Sequence, residues 1–136
     1  MYKIKDNFFI TDQTDKIDRD FVLKSLNQTY WAEKRTKQIN DVAIDNSICL
    51  SLFDGEKQIG FCRIVTDYAT FAWIADVFID PQYRGLGLGK WLVENAVNHE
   101  KIRDVGLKLL KTKDAHGLYK QYGFYDDVCM ALRKEF

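Results

Sequence analysis

The sequence predicts a single α+β domain in which helices cover the faces of a mixed β-sheet. The chain has 136 residues and 46% hydrophobic residues, which suits one hydrophobic core. Runs with strand-like and helix-like spacing of apolar residues alternate along it in the order βααβββαβαβ, with no repeat or linker between them. We therefore expect residues 1–136 to form one domain of layered helices and strands.

The N-terminal part of the chain contains one strand, two helices and then three consecutive strands. Asp15 and Asp18 are possible N-caps of the first helix, which is expected to end near Asn27 or Gln28. A turn signal over residues 54–57 predicts that two of the strands form an antiparallel hairpin. The strands are predicted at residues 7–11, 48–53, 58–66 and 71–79, and the second helix at residues 36–46.

The C-terminal part alternates helices and strands. A helix is expected to follow a glycine-rich loop and to end near His99, and Gly123 is a natural left-handed C-cap for a later helix. Strands are predicted at residues 105–112 and 128–133, and the later helix at residues 114–122.

Composition and charge argue against several classes of function. Lysine plus arginine equals aspartate plus glutamate at 20 each, so no basic field favours nucleic acid or an anionic membrane. No signal peptide or membrane-spanning run is present, which predicts a cytoplasmic protein. The three cysteines are predicted to be reduced thiols, and no histidine has the spaced partners of a zinc site, so we expect no metal.

A glycine-rich segment lies between the strand at residues 71–79 and the next helix. Glycines at the start of a helix allow the free backbone N–H groups to approach a bulky anion, although a tight strand-to-helix connection also requires glycine. A dinucleotide fold would place this loop after the first strand of a parallel sheet. A nucleotide triphosphate loop would need a hydroxyl residue where Trp91 stands. The loop can still hold a pyrophosphate in another type of fold, or it can be a tight connection between a strand and a helix.

Two motifs resemble the GNAT superfamily of acetyltransferases. Residues 84–89 fit its R-x-x-G-x-G pattern, residues 82–87 fit the Q-x-x-G-x-G variant, and residues 118–124 are similar to its L-Y-x-x-x-G-F segment. The resemblance covers nearly the whole chain and implies a three-layer α/β/α fold. Its sheet would be mixed, mainly antiparallel and six- to seven-stranded.

The resemblance implies that the chain binds acetyl-CoA. In the family the pyrophosphate rests on backbone amides of the glycine loop, and the pantetheine arm pairs with the main chain of the preceding strand. The implied cofactor-binding residues are Val77, Phe78, Ile79, Arg84, Gly85, Leu86, Gly87, Leu88, Gly89 and Lys90.

Two catalytic residues are proposed, Tyr119 from the resemblance and Asp76 from its place in the strand. Tyr119 occupies the tyrosine position of the second motif, where its phenol can donate a proton to the departing thiolate. Asp76 is the only ionisable residue in its strand and is a candidate base or amine-binding carboxylate, although simple alternation turns it away from the face of Trp73 and Ala75. Asp67 is a second candidate, and deprotonation through water remains open.

The acceptor is expected to be a primary amine of a small molecule, which attacks acetyl-CoA directly in a ternary complex. The resemblance places Tyr30, Trp31 and Arg35 near the entry of the amine. The alternatives are a non-catalytic acyl-CoA-binding module or a protein N-acetyltransferase, and a homodimer through strand pairing near the C-terminus is also considered.

Overall fold

A computed structural model describes residues 2–112 and 115–134, and it contains six strands and four α-helices in that part of the chain. None of these helices is long and apolar enough to cross a lipid bilayer. In chain order the elements are β1 (Tyr2–Lys5), β2 (Phe8–Thr11), α1 (Arg19–Leu26), α2 (Lys37–Asp45), β3 (Ile48–Asp54), β4 (Lys57–Thr66), β5 (Phe71–Ile79), α3 (Leu88–Val97), β6 (Leu107–Leu110) and α4 (His116–Lys120).

The six strands form one sheet in the order of the chain, β1-β2-β3-β4-β5-β6. Neighbouring strands from β1 to β5 are antiparallel, and the β3–β4 hairpin closes at a turn where Gly55 has a φ of 59°. The crossover through α3 makes β6 parallel to β5. The predicted mixed, mainly antiparallel sheet is therefore confirmed.

Helices cover both faces of the sheet and bury two apolar clusters. On one face, α3 contributes Leu88, Leu92 and Ala96 to the larger cluster. On the other face, Val22 and Leu26 of α1 and Ile44 of α2 pack with strand residues. The larger cluster includes Ile10, Leu50, Leu52, Ile59, Ile64 and Ile74 from the strands, and the smaller one includes Cys49 and Phe61.

The starts of α1 and α2 follow from their caps. The Asp18 carboxylate accepts a hydrogen bond from the backbone N–H of Phe21 at 3.1 Å, and the Thr36 hydroxyl accepts one from Ile39 at 3.2 Å. Each side chain satisfies a helix N–H group that has no partner within the helix. Of the two caps considered for α1, Asp18 is the one that is used.

Two elements differ from the sequence-based prediction. Strand β1 was not predicted, because two of its four residues are lysines and the remaining apolar residues are too few to indicate a strand. The strand predicted at residues 128–133 was wrong: no residue of that described segment joins the sheet, and Val128, Met130 and Leu132 are exposed. An apolar run forms a strand only where a neighbouring strand supplies the hydrogen bonds. The predicted helix start at Asp114 lies outside the described residues.

Candidate active site

The sheet opens between β5 and β6. Strand β6 is only four residues long and pairs with the first half of β5, from Phe71 opposite Leu107 to Ile74 opposite Leu110. Beyond Ile74, residues 75–79 of β5 have no ladder partner on the β6 side among the described residues. Because strands display N–H and C=O groups along each edge, this stretch presents backbone groups to any ligand that enters the opening.

A β-bulge lies at the point where the sheet opens. Phe61 pairs with Phe78 and Arg63 with Ala75, so that two residues of β5, Asp76 and Val77, lie opposite the single residue between Phe61 and Arg63. Asp76 takes a φ of 55°, which is uncommon for a residue other than glycine.

The bulge changes the face to which Asp76 points. Arg63 pairs with Cys49, which packs against α1 and α2, so the Arg63 side chain lies on that side of the sheet. The Asp76 carboxylate contacts Arg63 and therefore points to the same side. Simple alternation had directed Asp76 to the opposite face and was wrong at this position. The extra residue of the bulge shifts the alternation by one.

The Asp76 carboxylate lies at the centre of a buried polar cluster. Its side chain is 2% exposed, and Oδ2 accepts hydrogen bonds from Arg35 Nη1 at 2.6 Å and from Arg63 Nε at 2.8 Å. Oδ1 accepts a third from Trp31 Nε1 at 3.1 Å. Arg63 Nη1 also donates to the Ser47 hydroxyl at 3.2 Å. The cluster contains two guanidinium groups and one carboxylate, so it has a net positive charge.

The surroundings of Asp76 keep its carboxylate ionised. Burial alone would raise the pKa, but the hydrogen bond from Arg35 and the charges of Arg63 and Arg35 outweigh it, so the pKa is lowered below its usual 3.8. A carboxylate that is held in this way is a weak proton acceptor. The catalytic role of Asp76 stays a prediction, and its contacts favour a role in holding neighbouring groups.

Replacement of Asp76 by asparagine is expected to lower the free energy of unfolding by about 3 kcal/mol at pH 7, because two buried guanidinium groups lose their counter-ion. Since folding lowers the pKa of Asp76, its stabilising effect is present above about pH 4 and is lost as the pH falls through the lower folded value. Urea unfolding at pH 7 and pH 3 should therefore show that the free energies of unfolding of the variant and the wild type differ less at pH 3 than at pH 7.

The exposed Asp20 provides a control for that measurement. Asp20→Asn is expected to change stability by less than about 1 kcal/mol, because the side chain is exposed and its charge interacts only weakly with the start of α1 and with Lys37. An equal loss for Asp76→Asn at both pH values would show that burial of the amide, and not the lost charge, causes the destabilisation.

The predicted phosphate loop connects the end of β5 to α3. Asp80 accepts a hydrogen bond from the N–H of Gln82 at 2.9 Å and caps a short 3-10 turn, Pro81–Tyr83. Gly85 and Gly87 then take φ values of 85° and 76°, and Gly87 is the N-cap of α3. These left-handed conformations explain why glycine is needed at both positions.

The loop exposes backbone donors at the start of α3. Residues 84–87 are exposed, whereas the side chain of Leu88 is buried and anchors the helix to the core. The first intrahelical hydrogen bond after Gly87 is donated by Trp91, so the N–H groups of Leu88, Gly89 and Lys90 have no acceptor within the helix. These amides and the helix dipole form a site that suits an anion.

Tyr119 of α4 lies beside the opening of the sheet. Its ring packs edge-on to that of Phe124, with the centroids 6.0 Å apart, and both rings line a groove of about 660 Å³ together with Trp73 and the end of β6. Burial, with smaller contributions from Cys62 and Tyr30, raises the pKa of Tyr119 to about 12. Its hydroxyl makes no hydrogen bond to any described residue and is protonated at neutral pH.

The segment between α1 and α2 forms a defined loop. The Asn27 side-chain amide donates to the carbonyl groups of Ala32, Glu33 and Arg35 at 3.1, 3.3 and 3.0 Å. Tyr30 and Trp31 are exposed aromatic residues with their rings packed edge to face, 5.1 Å apart. Trp31 also donates to Asp76 at the bulge, which places this loop beside the opening of the sheet.

The other candidate side chains have structural partners. Asp67 accepts hydrogen bonds from the Thr70 hydroxyl and from the N–H groups of Ala69, Thr70 and Phe71 within its own turn, and these bonds lower its pKa. His99 is buried and contacts Asp12 at 2.8 Å, and His116 contacts Asp126 at 2.9 Å. In the described part of the chain, no three His, Cys, Asp or Glu side chains converge where they could hold a metal ion.

The structure thus brings the predicted residues of the glycine loop, β5, Tyr119 and the loop after α1 to one opening. Arg63 is a site residue that sequence reasoning missed. The available signal was its position as the only charged residue between Gln58 and Thr66 of an otherwise apolar strand. A charge inside such a strand usually has a buried partner, which is Asp76 here.

Comparison with known proteins gives concordant matches. The family profile "Acetyltransferase (GNAT) domain" matches residues 45–126. The chain is 42% identical over 80 residues to GCN5-related N-acetyltransferase 2, chloroplastic, of Arabidopsis thaliana, covering 54% of this chain and 31% of that protein. It is 33% identical over 103 residues to the uncharacterized N-acetyltransferase ycf52 of Gracilaria tenuistipitata var. liui, covering 71% of this chain and 56% of that protein. The chain spans about a third to a half of these relatives' lengths.

Solved structures match over nearly the whole chain. A Xanthomonas campestris pv. campestris protein assigned to the GNAT family superposes with a TM-score of 0.89 at 32% identity, over 93% of each chain. A Clostridium acetobutylicum protein solved with acetyl-CoA superposes with a TM-score of 0.69 over 93% of this chain and 95% of the other. At 17% identity, this second match shows the fold alone.

Proposed function

Because the chain belongs to the GNAT family of acetyltransferases, we propose that it transfers the acetyl group of acetyl-CoA to a primary amine of a small molecule in a ternary complex. One observation carries this proposal: the exposed glycine loop at the start of α3 lies directly after the stretch of β5 that has no partner on the β6 side among the described residues. Tyr119 lines the groove beside that opening.

The residues present suit acetyl-CoA. The free amides of Leu88, Gly89 and Lys90 would hold its pyrophosphate, and the side chains of Arg84 and Lys90 add positive charge. The open backbone of residues 77–79 would pair with the amide groups of the pantetheine arm. When bound, acetyl-CoA supplies an activated acetyl thioester.

In the proposed reaction, the neutral amine nitrogen forms a bond to the thioester carbonyl carbon and the carbon–sulfur bond breaks. The Tyr119 hydroxyl donates its proton to the departing sulfur and is reprotonated by the water that takes the proton of the amine. The pKa of about 12 keeps the phenol protonated until the sulfur departs. Asp67 and Asp76 already accept several hydrogen bonds each, so we propose that water carries away the proton of the amine.

The cysteines support direct transfer and not an acetyl-enzyme. Burial raises the pKa of Cys49 to about 12 and also raises that of Cys62, so neither thiol forms the nucleophilic thiolate at neutral pH. Only Cys129 is exposed. We expect no gain in protein mass after incubation with acetyl-CoA alone, and Cys129→Ser to keep wild-type activity. A stable acetyl adduct, or loss of activity in Cys129→Ser, would contradict direct transfer.

The experiment that tests the proposed function is release of free thiol from acetyl-CoA across a panel of primary amines, with the acetylated product identified by mass spectrometry. Turnover with one class of amine and intersecting initial-rate plots would support a ternary complex. Tight binding of acetyl-CoA without turnover would instead favour a non-catalytic acyl-CoA-binding module or a protein acceptor.

We further propose that the protein acts in the cytoplasm and forms a homodimer, without a nucleic acid or membrane partner. The balanced charge argues against a nucleic acid or membrane partner. The exposed apolar residues of the C-terminal segment support a homodimer. Cell fractionation and the molar mass in solution at several concentrations would test them.

A further inference from the structure

The loop between α1 and α2 is attached to the open part of the sheet through one carboxylate. Trp31 and Arg35 of this loop both donate to Asp76, which lies 45 and 41 residues further along the chain. Asp76 is in turn fixed at the bulge of β5 and bonded to Arg63 of the neighbouring strand β4. The contact therefore joins three segments that lie far apart in the sequence.

We propose that Asp76 is a positioning residue, which through Trp31 and Arg35 holds the loop between α1 and α2 as a preformed wall of the amine-binding site. This inference rests on the proposed function and extends it to the recognition of the acceptor. Asp76 acts here without accepting a proton from the substrate.

The geometry supports positioning by a rigid connection. Asp76 and the two arginines are largely buried, with exposed side-chain fractions of 2%, 15% and 15%. Charge-assisted hydrogen bonds of 2.6 and 2.8 Å are strong and directional, and water has little access to compete with them. The loop is held at its other side by the Asn27 amide, so its backbone has support from both directions.

The position of the wall explains why it would act on the amine and not on acetyl-CoA. The exposed rings of Tyr30 and Trp31 lie on the α1 and α2 side of the sheet, where Asp76 also points. The glycine loop leads into α3, which packs on the opposite face. A displacement of the wall should therefore weaken binding of the amine and leave acetyl-CoA binding intact.

Two variants of graded severity test the proposal. Trp31→Phe removes one hydrogen bond to Asp76 and keeps an aromatic ring, so it should fold even if Asp76→Asn does not. Asp41→Asn is the matched control, because the ion pairs of Asp41 with Arg19 and Lys37 involve neither Asp76 nor its partners Trp31 and Arg35. We expect Trp31→Phe and Asp76→Asn to raise the KM for the amine about tenfold or more, with the KM for acetyl-CoA within about twofold of wild type. Asp41→Asn should change neither.

Hydrogen exchange of residues 27–36 supplies a measurement that does not depend on turnover. In both test variants, the backbone amides of this loop should exchange faster than in the wild type, and those of α3 should exchange at the same rate. Asp41→Asn should exchange like the wild type in both regions. Unchanged exchange in both test variants would overturn the proposal. A loss of kcat in Asp76→Asn together with loss of the acidic limb of the pH–rate profile would overturn it in favour of a base. If no amine is turned over by the wild type, the proposed function fails and the exchange data still decide whether Asp76 holds the loop.

Discussion

Replacement of Tyr119 by phenylalanine is expected to lower kcat by about 100-fold or more, because the departing thiolate loses its proton donor. The ring would keep its packing against Phe124, so the fold and the KM for acetyl-CoA should change little. The hydroxyl makes no hydrogen bond to a described residue, so its removal leaves no partner unsatisfied there. Single-turnover and steady-state rates of thiol release would measure the effect.

Tyr68→Phe provides a matched control, because Tyr68 is exposed and undergoes the same chemical change. It should retain wild-type kcat. Since the pKa of Tyr119 is raised to about 12, the wild-type rate should not fall from ionisation of this residue between pH 7 and 10. If Tyr119→Phe retained most of the kcat, water or another group would have to protonate the sulfur.

Replacement of Gly87 by alanine is expected to weaken acetyl-CoA binding by about tenfold or more. Gly87 has a φ of 76°, where an L-residue costs roughly 1–2 kcal/mol, and it lies immediately before the free amides of α3. Its added Cβ would meet no atom of the protein within 4 Å, so the effect would come from the backbone conformation and from the approach of the ligand. Calorimetric titration with acetyl-CoA or CoA measures it.

Gly106→Ala is the control for this variant. Gly106 also has open space around its Cβ position but lies outside the left-handed region and away from the glycine loop. Its dissociation constant for acetyl-CoA should stay close to that of the wild type. Equal binding by Gly87→Ala and wild type would remove the glycine loop from the proposed phosphate site.

The predictability of the fold differed from element to element. Helices α1 and α2 were predictable because their caps, Asp18 and Thr36, precede residues with helical apolar spacing. Strands β3, β4 and β5 are long apolar runs and were also predicted. The segment at residues 128–133 has the same pattern and yet forms no strand, since pairing depends on a neighbour that the pattern does not specify.

The site shows the same division. Its motifs are local, so the resemblance to the GNAT family was sufficient to propose roles for the glycine loop and Tyr119. The left-handed φ values of Gly85 and Gly87 are those that glycine adopts readily. Asp76 was identified as an unusual charge in a strand, but its direction was predicted wrongly. A bulge depends on the register of two strands, and no local pattern reports that register.

By itself, the sequence determined the family and most of the order of the elements, because motifs and apolar spacing are local features of the chain. Through its resemblance to the family, it also named the residues proposed for phosphate binding and proton donation. Only the tertiary structure decided which groups contact Asp76. Its partners Trp31, Arg35 and Arg63 come from a loop and a different strand, and they meet it only when the sheet and the helices are packed. Burial alone would raise the pKa of the carboxyl group, but the two arginines outweigh burial and lower it, which favours the proposed positioning role over that of a base.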